Sequence, residues 1–250
     1  MFLQNEAADA GHSIIVTIYD EQDTMQISSL THNYSNLEAW FHDTFIAERT
    51  LHIHTYILQE SGLEALLEEP RRRRLLDVGC GGGQPLLQLR QKFPQLQFDG
   101  IDYSAFLIGR AAGRAHQQGF DLDFQVADAQ ALPFPPASFD VVYSLGSIKH
   151  WPDPVRGIGE CWRVLKPGGE LLLADAISDV SLEDVENFYT VVGFPKPLKK
   201  LLAPILYQRL FRPTRPLAVY HQVAAQLDLP AGTVSRVPSL PTFVFHTQKP

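Results

Sequence analysis

The chain has 250 residues, which suits one large domain, or a domain with a modest cap, and is long enough to bury a sizeable core. Its composition (45% hydrophobic, 20% charged, 10% aromatic) excludes a disordered, collagen-like or repeat-array chain, and no run approaches the roughly 18 apolar residues that a membrane span needs. The net charge of −7, from 21 basic and 28 acidic residues, argues against a nucleic-acid partner, because phosphate neutralisation calls for a basic surface.

Met1 to Ala10 carries Glu6 and Asp9 and no basic stretch before an apolar run, so no signal peptide is expected there. Ile14–Tyr19 reads either as a strand or as part of a loosely attached segment, and Met25 is an alternative start. Asn33 to Leu67 is rich in aromatics and helix formers and is expected to form helices packed against the edge of a sheet. Arg71 to Arg74 is the one basic run; it lies directly before an apolar strand and reads as a solvated strand entrance.

From Leu75 onward short apolar runs alternate with helical stretches. Strands are predicted at Leu75–Val78, Leu96–Ile101, Leu122–Ala127, Phe139–Ser144 and Glu170–Asp175. Helices are predicted at Pro85–Phe93, Ser104–Gln118, with Ser104 as N-cap, and Pro154–Leu165, stopped by Lys166-Pro167-Gly168-Gly169. This alternation predicts βαβ units, a parallel sheet and helices on both faces. Ser178 to Pro216 holds five prolines and is expected to form a helical cap. Leu217–Leu229 reads as a further helix, and Thr233–Val237 and Thr242–His246 as two closing strands. Residues 1–70 are thus taken as an N-terminal extension whose helices pack on the core, and 71–250 as the main domain, with a cap insertion at about 178–216. Cys80 and Cys161 have no metal-ligand spacing and fit a reducing cytoplasm.

Leu75-Leu76-Asp77-Val78-Gly79-Cys80-Gly81-Gly82-Gly83 joins a strand to a helix. Glycines there permit a tight turn and close approach of a ligand, and the helix N-terminus offers N–H groups to an anion, either a phosphate or a carboxylate. A dinucleotide site wants Gly-x-Gly-x-x-Gly. Counting from Gly79, the third glycine falls on Gln84; counting from Gly81, it falls on Leu86. Asp77 is a poor neighbour for pyrophosphate and a good one for an ammonium group.

With Phe98-Asp99-Gly100-Ile101-Asp102-Tyr103-Ser104, Val126-Ala127-Asp128-Ala129, Phe139-Asp140-Val141-Val142-Tyr143-Ser144 and Val164-Leu165-Lys166-Pro167-Gly168-Gly169, this loop resembles the class I S-adenosylmethionine-dependent methyltransferases, in particular their small-molecule, ubiquinone-biosynthesis-like branch. The resemblance covers roughly Leu75 to Pro250. It implies a doubly wound, Rossmann-like α/β sheet of seven strands, mostly parallel with an antiparallel last strand, and S-adenosylmethionine as cofactor. Asp102 then corresponds to the ribose-binding acid, since two carboxylate oxygens match a vicinal diol. Asp128 and the Ala129 N–H correspond to the adenine contacts, Tyr103 to a surface against the adenine face, and Gly79 and Gly81 to the loop beside the methionine portion. Asp77 and Ser144 complete the cofactor-binding set. For Asp102, Tyr103 and Asp128 the alternatives are a helix cap, ordinary packing and a loop solubiliser.

The segment Leu145 to Pro154 should border the reactive methyl, beyond the carboxyl ends of the strands. His150 reads as a general base or as a hydrogen-bonding structural histidine. The family often has a second histidine where this chain has Lys149, which reads as facing water or as binding an acidic substrate. His42, His52 and His54 have no metal-ligand spacing, and no metal is expected. Tyr34, Trp40, Phe41, Phe45 and Tyr56, and the cap residues Phe188, Tyr189, Phe194 and Tyr207, are candidate acceptor contacts or plain core. The expected partner is a small-molecule acceptor, methylated on oxygen, nitrogen or carbon, with no nucleic acid and no membrane; the oligomeric state is open, a homodimer being one option. A regulatory protein that binds the cofactor without catalysis is the alternative, followed by a nicotinamide oxidoreductase and a nucleic-acid methyltransferase, which the missing Asn/Asp-Pro-Pro-Tyr/Phe motif disfavours.

Overall fold

A computed structural model describes residues 17–19, 24–26, 39–40, 43–44, 47–69, 73–193, 196–230, 233–238 and 240–250. Two short strands, β1 (Thr17–Tyr19) and β2 (Thr24–Gln26), pair antiparallel as a separate hairpin. Then come α1 (Ala47–Glu60), α2 (Leu63–Glu68), β3 (Arg74–Val78), α3 (Gln84–Lys92), β4 (Gln97–Asp102), α4 (Ala105–Gln117), β5 (Asp123–Val126), β6 (Phe139–Leu145), α5 (Pro154–Val164) and β7 (Leu165–Ala176). The cap holds α6 (Leu182–Val191) and α7 (Lys196–Leu206), followed by a π-helical turn, Tyr207–Phe211. The chain closes with α8 (Leu217–Gln226), β8 (Thr233–Arg236) and β9 (Thr242–Gln248).

Seven strands form one sheet in the order β5-β4-β3-β6-β7-β9-β8. β3 to β7 pair parallel, and β9 runs antiparallel to both β7 and β8. The period of two along the strands splits the core into two layers. Leu76, Val142, Leu171 and Leu173 face α5 and α8, while Leu75, Val141, Tyr143 and Leu172 face α1, α2 and α3. This is the expected seven-stranded doubly wound architecture, with the strand order, not the strand direction, reversing at the β3–β6 junction, where such sheets open a ligand crevice.

Two expectations need correction. The N-terminal helices cover a sheet face rather than an edge: Ile53, Ile57, Leu63 and Leu67 belong to the same buried cluster as Leu75, Phe98 and Tyr143. Second, β7 begins at Leu165, and Lys166–Gly169 forms an irregularity within it instead of a turn before it. Phe139 pairs with Leu165, whereas Val141 pairs with Glu170. The extra residues are held by the C-terminus, Gly168 N–H donating to the Lys249 carbonyl and Lys249 N–H to that of Gly169 (2.8 and 2.9 Å).

Candidate functional site

The loop after β3 carries three glycines at positive φ: Gly79 (85°), Gly81 (55°) and Gly83 (78°). The first is required by close approach, since a Cβ on Gly79 would run into the Ser147 side chain. At Gly81 a Cβ would instead project into open space. The loop amides turn toward β4. Gly79 and Cys80 N–H both donate to the Ile101 carbonyl (2.8 and 2.9 Å), Gly81 N–H to Asp102 Oδ2 (3.0 Å) and Gly83 N–H to the Cys80 carbonyl. These four amides are therefore already engaged and are not offered to an anion.

Asp77 and Asp102 flank the crook. Asp77 is 3% exposed, and burial, followed by the charge of Asp102, pushes it up to about 8, although the Tyr143 phenol close by favours its ionised form. Asp102 is also raised, by burial, against two backbone donors, Ser104 N–H on Oδ1 (2.8 Å) and Gly81 N–H on Oδ2. Each oxygen keeps a lone pair for a further donor. Two neighbouring carboxyls that resist ionisation make a site that favours an incoming cation. Cys80 lies between them, its thiol pushed well up by burial and by both acids, which leaves it inert as a nucleophile.

Tyr103 follows Asp102 in the chain, with 67% of its surface exposed. Ser104 caps α4 by accepting from Leu107 N–H (3.3 Å), so Asp102 is not needed as the cap. Asp128 lies just after β5, where Ala127 N–H reaches back to the Asp102 carbonyl (3.0 Å). Its Oδ1 accepts from Gln130 N–H (2.8 Å), and Ala129 is buried beside it.

The segment after β6 closes the crevice from the other side. Ser144 is fully buried, and its hydroxyl lies 2.7 Å from the Val78 carbonyl and 3.0 Å from Ser147 Oγ, which itself lies 3.0 Å from the Val78 carbonyl. These hydroxyls fasten the segment to the last residue of β3. Lys149 does not simply face water: its Nζ pairs with the buried Asp175 (3.2 Å), and its N–H donates to the same carboxylate (2.7 Å). Arg215, itself buried, donates to the carbonyls of Ile148 (3.4 Å) and Trp151 (2.8 Å) from the cap side. Trp151 packs so tightly on Gly157 that a Cβ there would strike its ring. His150 is exposed on this braced turn, with its N–H on the Ser147 carbonyl (3.0 Å).

The sequence reasoning missed Asp43. It lies against Gly82, its side chain 1% exposed, and receives Arg114 through both Nη1 and Nη2 (2.8 Å each), Arg110 Nε, and Gln84 Nε2 (2.8 Å). Arg114 Nη1 also donates to the Gly82 carbonyl (2.7 Å). Burial raises the Asp43 carboxyl, but these donors outweigh it and hold the group below its usual value. A clamp thus fixes the outer wall of the glycine loop to the N-terminal segment and to α4. The spacing of Arg110 and Arg114, four apart on one helix face, was its one local signal.

His52 Nε2 contacts the Val191 carbonyl (2.6 Å), joining α1 to the cap. Among the described residues no group of three His, Cys, Asp or Glu could hold a metal ion. His42, Tyr34, Phe41, Phe45 and Phe194 lie outside the described residues, as do Arg71 and Arg72. Trp40 and Tyr56 are exposed, whereas Tyr189 and Phe211 are buried in the cap's own cluster, with Phe188 and Tyr207 against them.

A family profile described as a methyltransferase domain matches residues 76–173, which run from the glycine loop to β7. Over these residues the chain matches a methyltransferase domain, and it is similar to the class I S-adenosylmethionine-dependent methyltransferases. Over 104 residues it is 43% identical to 27-O-demethylrifamycin SV methyltransferase of Amycolatopsis mediterranei, an alignment covering 41% of this chain and 38% of that one. Demethylmenaquinone methyltransferase of Deinococcus radiodurans is 37% identical over 112 residues, 45% of this chain and 46% of its own. The alignments thus span less than half the length of these relatives. In fold the likeness extends further. A structure from Methanococcus maripaludis, assigned to the S-adenosyl-L-methionine-dependent methyltransferases, superposes with a TM-score of 0.65 at 15% identity, over 87% of this chain and 93% of that one. S-adenosylmethionine is the cofactor of this domain class, and the crook fits it: open space at Gly81, cation-favouring acids at 77 and 102, and an exposed ring at 103.

Proposed function

We propose that this chain transfers a methyl group from S-adenosylmethionine to an oxygen, nitrogen or carbon of a small organic acceptor. The observation that carries this reading is Gly81. Its left-handed backbone places its N–H on Asp102 and leaves the space before it open, with Asp77 close by. When bound, the cofactor supplies a methyl already made electrophilic by its sulfonium.

The chain's residues then hold and orient. Asp102 accepts the ribose hydroxyls on the lone pairs its backbone donors leave over, and Tyr103 lies against the adenine. Asp128 accepts from the adenine amino group and the Ala129 N–H reaches a ring nitrogen. Asp77 faces the ammonium of the amino-acid end, and Gly79 and Gly81 give the backbone room beside it. Ser144 acts through the loop, holding Val78 and the turn after β6 in register. Positioning of this kind supplies much of the rate of an in-line transfer. His150, on its braced turn, takes the acceptor's proton on an imidazole nitrogen where the acceptor starts protonated.

The small-molecule class is supported by the relatives, which are named for methylation of a rifamycin and of demethylmenaquinone. Two cysteines, both free and buried, fit a reducing cytoplasm, and among the described residues no helix is long and apolar enough to cross a membrane. Calorimetric titration with S-adenosylmethionine and with NAD, followed by transfer of tritiated methyl onto a metabolite extract, tests the proposal. Saturable cofactor binding with label on a small molecule is expected. Preferential NAD binding refutes the methyltransferase reading; cofactor binding without transfer leaves a regulatory cofactor-binding protein.

A further inference from the structure

The cap carries a charge pattern that the crevice does not explain. Between Glu186 and Asp228 there is no Asp or Glu, whereas Lys196, Lys199, Lys200, Arg209, Arg212 and Arg215 all fall there, in a chain whose net charge is −7. The inner side of this region is satisfied, with Ala203 and Phe211 buried against Val185, Tyr189 and Val192. The outer side is not. Leu201, Ile205 and Leu210 are 70%, 56% and 51% exposed, and Leu201 and Ile205, four apart, share one face of α7. Lys200, next to Leu201 on α7, and Arg209 and Arg212, in and after the turn that follows it, are also exposed, and none pairs with a carboxylate among the described residues. Arg212 donates only to Gln208 Oε1 (2.6 Å).

Exposed aliphatic side chains accompanied by unpaired cations, on a helix and the turn that continues it, are the pattern that enters the headgroup layer of a membrane, the apolar side chains reaching the acyl boundary and the cations meeting lipid phosphates. We infer that α7 and the turn after it dock the protein on an anionic lipid bilayer surface. Other occupants fit less well. A second copy pairing through the same face would set like charges against each other. A nucleic acid would meet the phosphate-binding cations, but the exposed apolar side chains that accompany them offer aliphatic groups in place of the rings on which bases stack. The docking face lies on the cap that follows β7, at the end of the sheet where the crevice opens. An acceptor dissolved in the bilayer would reach the protein on that side, a consequence that rests on the methyl-transfer reading; the docking itself does not.

The test is co-sedimentation of the full chain with phosphatidylcholine vesicles, with and without about 30 mol% phosphatidylglycerol, while affinity for S-adenosylmethionine is measured on the same samples. Sedimentation is expected with the anionic vesicles and not the neutral ones, with release at about 0.5 M salt as the charges are screened. Lys200→Glu, Arg209→Glu and Arg212→Glu together should lower the partition about tenfold or more. Leu201→Ser with Ile205→Ser should also lower it, with circular dichroism and cofactor affinity unchanged. No binding to anionic vesicles, equal binding to both kinds, or indifference to the substitutions overturns the inference. So does self-association, or tighter binding to RNA, that the same substitutions abolish. Loss of cofactor affinity in the unmodified chain would strike the methyltransferase reading and leave the docking result standing.

Discussion

Asp43→Ala is the perturbation whose consequences follow most directly from the geometry. The carboxylate is 1% exposed and takes both terminal nitrogens (Nη1 and Nη2) of Arg114, Nε of Arg110 and the Gln84 amide. Removing one member of a fully buried ion pair costs about 3–5 kcal/mol, because the other charge is stranded. Here the arginine side chains are 33% and 25% exposed, so water takes over part of their solvation and screening reduces the figure. About 2 kcal/mol is the expected loss, in line with hydrogen bonds to charged groups. Urea unfolding followed by circular dichroism should show the midpoint falling by roughly 1 M, given a slope of about 2–3 kcal/mol/M. Since Asp43 and Arg114 together hold Gly82, cofactor affinity should fall about three- to tenfold as the loop loosens. The sign with pH is also fixed. A carboxyl held below its usual value stabilises the fold at neutral pH, and that contribution is lost as pH falls below about 4. The variant should therefore differ from the parent at pH 7 and converge with it in acid. Unchanged stability and affinity at pH 7 would refute the clamp.

Asp77 has the opposite sign. With its carboxyl pushed up to about 8, the folded chain holds a proton that the unfolded chain releases near 3.8, so stability declines as pH rises between those values. Asp77→Asn should flatten that decline in thermal melts while weakening cofactor binding; a melt profile parallel to the parent's would contradict the assignment. Asp102→Ala should weaken S-adenosylmethionine binding by about 1–3 kcal/mol by calorimetry, and unchanged affinity would remove Asp102 from the site. His150→Ala should lower turnover more than cofactor affinity in the methyl-transfer assay, and equal activity would end its candidacy as base.

Much of the core of this account was legible in sequence because it rests on local requirements. Positive φ at Gly79, Gly81 and Gly83 is a backbone need that nearly excludes other residues, and Asp102 declares itself by ending an apolar strand. Ser104 as N-cap was equally local. The misses involve partners distant along the chain. Asp43 meets arginines 67 and 71 positions away, and Lys149 meets Asp175, 26 positions on. No periodicity reports such pairs. The N-terminal helices were assigned to an edge because their apolar stripe shows that they bury a side, not which side of the sheet they bury it on. The irregularity in β7 was hidden because Pro and Gly signal a turn equally well inside a strand or before it.

The most direct test of the central claim is a crystal structure with S-adenosylhomocysteine. The account predicts its ribose on Asp102, its amino-acid end in the crook between Asp77 and Gly81, and its sulfur facing the turn that carries His150. A nucleoside bound elsewhere, or Gly79 to Gly83 closed against it, would contradict the claim.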